Sequence, residues 1–247
     1  FGLIGYPLGH SFSASFFNKK FMEEGIDAEY TNFPLERMVD FETLLNSEPG
    51  LAGLNVTVPY KQEIIPYLDT MSTTAEAIQA VNTISFRRRE GMLEIAGDNT
   101  DVIGFRRSLE DHLKPHHTSA LVLGTGGSSK AVLYVLEQLG IGYTMVSRTT
   151  DQHSRIRRIT YSELDMDLMS ETPLIINTTP LGMYPKVDTF PDIPYQALTP
   201  NHLLFDLVYN PEKTEFLARG EKLGAAVVNG YDMLILQAEA SWEIWNR

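Results

Sequence analysis

The run "LVLGTGGSSKAVLYVLEQLGIGYTMVSRT", residues 121 to 149, constrains the fold more than any other stretch of the chain. It reads as a buried strand, a glycine-rich turn, a helix and a second strand. Two strands joined through a helical crossover pair in parallel, and a parallel sheet needs helices on its faces. Gly124, Gly126 and Gly127 fall on the strand-to-helix turn. There, glycines let backbone N–H groups approach a pyrophosphate, and the helix N-terminus attracts its charge. A strict G-x-G-x-x-G would carry glycine at 129, where this chain has Ser129, while Ala131 is small enough for close helix–strand packing. The same run is also a degraded P-loop. Ser129 stands where that motif needs glycine and Ala131 where it needs the magnesium-binding hydroxyl, which argues against an NTP hydrolase.

The strand that follows ends in Arg148-Thr149, and no acid comes before Asp151. An NAD-binding unit presents Asp or Glu there to the ribose 2′-hydroxyl, whereas the planar fork of an arginine suits a 2′-phosphate. NADP is therefore favoured over NAD.

Elsewhere short strands and helices alternate. "FGLIG", "AEYTNF" and "GLNVTV" read as strands. "SASFFNKKFMEEG" reads as a helix capped by Ser13 and ended by Gly25, and "DFETLLNSE" as a short helix. "YKQEIIPYLD" and "TAEAIQA" read as helical pieces broken at Pro66. "NTISFRRR" and "MLEIAG" flank Glu90-Gly91, a hairpin signal. "DVIGFRRSLEDHL" is a helix, "PLIINTTP", "HLLFDLVY" and "AAVVNG" are further strands, and "YDMLILQAEASWEIWNR" is an amphipathic C-terminal helix. The expected fold class is α/β with two domains. Residues 1–103 with 231–247 would form one, and 104–230 a Rossmann-type dinucleotide domain.

The 247 residues are 43% hydrophobic, no apolar run approaches a membrane span, and the first residues do not read as a signal peptide. A net charge of −12 argues against a nucleic-acid or anionic-membrane surface. With no cysteine there is no disulfide, cysteine nucleophile or thiolate metal site, which is compatible with a cytoplasmic location. The six histidines show no ligand spacing, so no metal is implied.

Lys61 follows a strand ending "NVTVP", at what reads as the start of a helix and against the helix dipole. Asp101 follows Asn99 and Thr100 at the start of another helix. "HSFS" and "AVNT" add small hydroxyls and amides at element ends in the same half of the chain, a supply that suits a hydroxyl-rich ligand with one carboxylate.

Taken in order, "GYPLGHSFS", "LNVTVPYK", "AVNT", "GDNTD", "GTGGSSKA", "SRT", "INTTPLGM", "FDLVYNP" and "NGYDMLILQA" resemble the shikimate/quinate dehydrogenase family over essentially the full length. The resemblance implies NADPH-dependent, reversible reduction of 3-dehydroshikimate to shikimate in aromatic amino-acid (chorismate) biosynthesis, by a cytoplasmic monomer or homodimer. It implies that Lys61 and Asp101 form the catalytic pair in a cleft between the domains. Ser11 and Ser13 would hold the substrate carboxylate, and Thr57, Asn82, Asn99, Tyr209 and Gln237 the ring and its hydroxyls. Gly124, Thr125, Gly126, Gly127, Ser128 and Ser129 would line the pyrophosphate. Ser147, Arg148 and Thr149 would meet the 2′-phosphate, and Gly230 and Met233 would border the nicotinamide. Ala14, Gln79, Ser147 and Gln152 depart from the usual family pattern. The rival readings are a broader quinate/shikimate dehydrogenase using NAD and a non-catalytic nucleotide-binding relative.

Overall fold

The computed structural model describes residues 1–9, 11–89, 92–149 and 156–247, with only the backbone of Arg89. The Glu90-Gly91 turn and the positions Asp151 and Gln152 lie outside the described residues. The chain divides into two compact units, residues 1–100 with 237–247, and residues 101–236. The sequence placed these divisions at 103/104 and 230/231.

The first unit contains β1 (Gly2–Gly5), α1 (Phe12–Glu24), β2 (Thr31–Pro34), α2 (Phe41–Ser47), β3 (Gly53–Val56), β4 (Thr70–Met71), α3 (Thr73–Ile78), β5 (Thr83–Arg89) and β6 (Met92–Asp98). Its six strands lie in the order β2-β1-β3-β5-β6-β4. The sheet is mixed rather than parallel: β1 pairs in parallel with β2 and β3, while β5 runs antiparallel to β3 and β6. The two residues between β5 and β6 are too few for a crossover, so those strands must return antiparallel.

Helix α1 ends where expected, on Gly25 in the left-handed region (φ 65°), but its N-cap is Ser11 and not Ser13. Ser11 has the extended backbone of a cap, and its Oγ accepts from the Ala14 N–H at 3.2 Å. The segment 60–69 is not an α-helix. It is a run of turns ending in one 3₁₀ turn, Ile65–Tyr67. Pro66 lacks an N–H, and the bonds at its end are of the i+3 type, Tyr67 N–H to the Ile64 carbonyl and Leu68 N–H to the Ile65 carbonyl. Lys61 therefore opposes no helix macrodipole.

Ile4, Phe41, Leu54, Ile64, Val81 and Ile84 build one core of this unit. A second joins Phe17, Phe21 and Tyr30 to Ala238, with Phe1, Trp242 and Trp245 against it. The last eleven residues are thus an integral layer of the first unit. Trp245 donates its indole N–H to the Ile84 carbonyl at 2.9 Å, and a Cβ on Gly53 would stand 2.2 Å from that indole.

The second unit contains α4 (Asp101–Glu110), β7 (Ser119–Leu123), α5 (Gly127–Gln138), β8 (Gly142–Ser147), β9 (Arg158–Thr160), α6 (Met166–Glu171), β10 (Leu174–Asn177), β11 (Leu203–Asp206), α7 (Glu215–Lys222) and β12 (Ala226–Val228). Helix α8 (Tyr231–Trp245) begins here and ends in the first unit. All pairings are parallel, in the order β9-β8-β7-β10-β11-β12. Counted along the unit this is 3-2-1-4-5-6, the Rossmann order, with its topological switch between β7 and β10. Leu121, Leu123, Val146, Ile175, Leu204 and Phe216 form the core. The glycine turn follows β7, at the switch where such sheets bind ligands.

Candidate active site

In the first unit the polar residues singled out from the sequence gather around the end of β3 and the residues 81–82. Thr57 follows β3, donating its N–H to the Ile4 carbonyl and accepting at its own carbonyl from Tyr60, both at 2.9 Å. Its methyl group would stand 2.4 Å from a Cβ on Gly5, so the strand beside it must be glycine there. The half-exposed Lys61 is tied by its backbone: its carbonyl accepts from the Val81 N–H at 2.7 Å.

Asn82 is buried, 3% exposed. Its Oδ1 accepts from the Thr100 N–H at 2.7 Å, from the Thr100 hydroxyl at 3.1 Å and from the Thr83 hydroxyl at 3.0 Å. Gln237 is buried as well, its Oε1 3.5 Å from the Thr100 hydroxyl and its carbonyl bonded by Ser241 at 2.9 Å. Asn99 faces inward: its amide donates to the Ala80 carbonyl at 2.9 Å, and its buried Oδ1 has no hydrogen-bond partner among the described residues.

Ser11 is occupied as the cap of α1. Ser13, released from that duty, hydrogen-bonds the phenol of Tyr30, whose pKa burial pushes up against the opposing effect of that bond. The Tyr30 hydroxyl donates to Asn55 Oδ1 at 2.8 Å. Tyr30, Asn55, Thr83, Thr100 and Ser241 were not singled out from the sequence. Their signal was faint: an amide inside an apolar strand (Asn55), a threonine beside Asn82, and a serine among apolar neighbours near the C-terminus.

In the second unit, Asp101 opens α4 and is 7% exposed. Tyr209 is half-buried after β11, and burial raises its pKa. Gly230 donates its N–H to the Val208 carbonyl at 3.1 Å, and a Cβ there would stand 2.2 Å from the Leu207 carbonyl oxygen. Its identity is thus dictated by packing. Met233 is buried on α8.

The carboxyl ends of β7, β8 and β10 enclose a cavity of about 440 Å³. Gly124, Thr125 and Gly126 line it from the turn, Ser147 and Arg148 from the end of β8, Thr178 to Leu181 from the end of β10, and Tyr161 from beyond β9. Gly124 has φ 108°, and a Cβ would stand 2.8 Å from Thr178 Oγ1. A Cβ on Gly126 would meet no atom of the described residues within 4 Å, so that glycine leaves space that these residues do not fill.

Gly126 is also the N-cap of α5, with no side-chain cap bond and no acid in the first turn, so the helix end offers backbone donors to an anion. Ser129 turns inward instead, its hydroxyl on the Gly126 carbonyl at 2.7 Å. Gly127 and Ser128 are the first two residues of α5 and are partly buried. Ser147 is buried with its hydroxyl on the Thr149 carbonyl, while Arg148 and Thr149 are exposed. An open glycine, an uncapped helix start and a neighbouring guanidinium together fit the phosphates of a dinucleotide. Tyr161, whose pKa burial raises and Arg148 lowers, and Thr178 and Thr179 are lining residues that the sequence reading had not assigned.

Residues 3–84 match the family model described as the shikimate dehydrogenase substrate binding domain. Shikimate dehydrogenase (NADP(+)) of Halothermothrix orenii is 38% identical, the alignment covering 99% of this chain and 89% of that protein. Shikimate 5-dehydrogenase from Thermus thermophilus, solved with NADP(H) and shikimate, superposes with a TM-score of 0.84 at 27% identity, over 99% of this chain and 92% of that one. Quinate dehydrogenase from Corynebacterium glutamicum, solved with NAD, gives a TM-score of 0.86 at 28% identity over the same shares. With its parallel six-stranded dinucleotide unit, its uncapped glycine turn and this degree of identity over nearly its whole length, the chain belongs to the shikimate dehydrogenase family.

Proposed function

We infer that this chain interconverts 3-dehydroshikimate and shikimate, with NADP as the redox partner and Lys61 and Asp101 as the catalytic pair. One observation carries the pairing. The Lys61 carbonyl is bonded to Val81 N–H, and the Thr100 N–H to Asn82 Oδ1, each at 2.7 Å. Two consecutive residues thus fix the backbone of Lys61 and of the residue just before Asp101.

Bound NADPH supplies the hydride. Reduction of a ketone builds negative charge on its oxygen, and the Lys61 ammonium stabilises that charge and donates the proton. The Asp101 carboxylate orients the ammonium and accepts from a neighbouring ring hydroxyl. Ser11 and Ser13 at the start of α1 take the substrate carboxylate, and Thr57, Asn82 and Gln237 orient the ring, with Asn99 and Tyr209 as further contacts. In the second unit the turn from Gly124 to Ser129 takes the pyrophosphate. Arg148, with Ser147 and Thr149, meets the 2′-phosphate, which sets NADP above NAD. Gly230 and Met233 border the nicotinamide.

The first unit is accordingly the substrate domain and the second the NADP domain. The enzyme works in the cytoplasm as a monomer or homodimer and serves aromatic amino-acid biosynthesis; a cysteine-free chain has no need of an oxidising compartment.

The test is direct: shikimate and NADP are mixed with the protein, and the absorbance of reduced nicotinamide is followed. Absence of turnover would overturn the assignment. A higher kcat/KM with quinate and NAD would favour the second reading, to which the resemblance to the quinate dehydrogenase lends weight.

A further inference from the structure

The wall that the end of β10 gives to the cavity of the second unit is held by side chains rather than by a strand ladder. Thr178, Thr179, Pro180 and Leu181 line the cavity just beyond that strand. Thr178 is tied straight to β7, its N–H and its hydroxyl both donating to the Leu123 carbonyl, at 2.9 and 2.7 Å. The next three residues are held differently. Pro180 has no N–H, and the other two N–H groups go to side chains. That of Thr179 donates to Asn177 Oδ1 at 3.0 Å, and that of Leu181 to the Thr179 hydroxyl oxygen at 3.3 Å.

The protons along this chain of bonds are each used once. The Thr179 hydroxyl donates to Asn177 Oδ1 at 2.6 Å and accepts from Leu181. Because a backbone N–H can only donate, the Asn177 atom facing Thr179 is the oxygen, and its nitrogen is turned the other way. That nitrogen carries two protons. One goes to Asp206 Oδ1 at 2.9 Å, the second to the Leu181 carbonyl at 3.4 Å. Asp206 Oδ1 also accepts from the Val208 N–H at 3.0 Å, and Oδ2 from the Thr214 hydroxyl at 2.5 Å. Asn177, Asp206 and Thr214 are all 0% exposed and stand behind the residues that line the cavity.

We propose that Asn177 and Asp206 are positioning residues for NADP: Asp206 orients the Asn177 amide, and that amide holds Thr179 to Leu181 as the wall against which the cofactor lies. The proposal rests on the assignment of the cavity to NADP. An aspartate suits the inner place, since a carboxylate only accepts and here meets donors from Asn177, Val208 and Thr214. Without it the Asn177 nitrogen would be a buried donor lacking its acceptor. Rotating the amide to relieve that would set its nitrogen against the Thr179 N–H. Either way the wall loses its anchor, while the parallel pairing of β10 with β11 remains.

The test measures NADP affinity by isothermal titration calorimetry in Asp206→Ala and Asp206→Asn, with thermal melts and the KM for shikimate alongside. Asp206→Ala is expected to weaken NADP binding about tenfold, the worth of one buried hydrogen bond, with the KM for shikimate changed by no more than about twofold. Asp206→Asn keeps an oxygen for Asn177 and Val208 and turns its nitrogen toward the Thr214 hydroxyl. It is expected to bind NADP to within about threefold of wild type. An Asp206→Ala protein that melts lower yet binds NADP as tightly as wild type would show these bonds to be cohesive only and would overturn the proposal. So would an asparagine variant as impaired as the alanine one. If Asp206→Ala does not fold, Asn177→Ala decides: weakening of NADP binding by about threefold or more supports the proposal, and an unchanged affinity sinks it. Failure of the cavity assignment itself has a different signature, since Arg148→Ala and Gly126→Ala would then also leave the NADP affinity unchanged.

Discussion

Asn82 Oδ1 accepts the backbone N–H of Thr100 at 2.7 Å, and this single bond ties the start of β5 to the residue before Asp101. The preceding residue, Val81, holds the carbonyl of Lys61. The dipeptide Val81-Asn82 thus holds the backbone of Lys61 and of Thr100.

Lys61→Ala should reduce kcat for shikimate oxidation by about 10²–10⁴-fold with KM changed far less, because its contribution grows as charge develops on the reacting oxygen. The check is a full steady-state comparison. A variant with normal kcat and a raised KM would make Lys61 a binding residue.

Arg148→Ala should raise the KM for NADP by roughly 10- to 100-fold, the worth of a charge-assisted hydrogen bond to phosphate, while leaving that for NAD nearly unchanged. An unaltered NADP/NAD ratio would remove Arg148 from the 2′-phosphate site.

The two turn glycines should respond differently to alanine. At Gly124 the positive φ and the 2.8 Å approach to Thr178 Oγ1 make the substitution destabilising, by about 1–3 kcal/mol in chemical unfolding. At Gly126 the methyl group enters open space, so stability should hold while NADP binding weakens by about tenfold or more. Equal effects on stability would contradict the reading of the cavity.

Ser11→Ala should lower stability by about 1 kcal/mol through loss of the helix cap. Ser13→Ala, outside the cap, should chiefly raise the KM for shikimate. If melting temperatures fell equally for both while the KM stayed put, carboxylate binding at the start of α1 would be refuted.

Asp206 is buried at the end of β11, and burial pushes its pKa up to about 6 despite bonds from Thr214, Val208 and Asn177 at 2.5, 3.0 and 2.9 Å. The folded state therefore binds this proton more tightly than the unfolded chain. Its stabilising contribution is complete below the unfolded carboxylate pKa near 3.8 and is lost as pH rises through about 6. The loss is on the order of 3 kcal/mol. Against wild type, Asp206→Asn should show a flatter dependence of unfolding free energy on pH between about 4 and 7 in urea titrations. Parallel curves would contradict the raised pKa.

What the sequence determined by itself was local. The alternation of strand and helix, the glycine turn after β7, the C-cap at Gly25 and the β5–β6 pairing follow from periodicity, backbone freedom and chain length. These act over a few residues. The same local rules misjudged residues 60–69, because an apolar run with one proline reads as a broken helix, whereas the bonds around Pro66 close as turns. Tertiary structure alone decided the polar cluster. Asn55 meets Ser241 across 186 residues and Thr83 meets Ser241 across 158, and no spacing rule reaches so far. Such groups are placed by the packing of the C-terminal helix on the sheet, and once water is excluded each donor must find an acceptor there. That requirement, and no local signal, sets Asn82 Oδ1 against the Thr100 N–H.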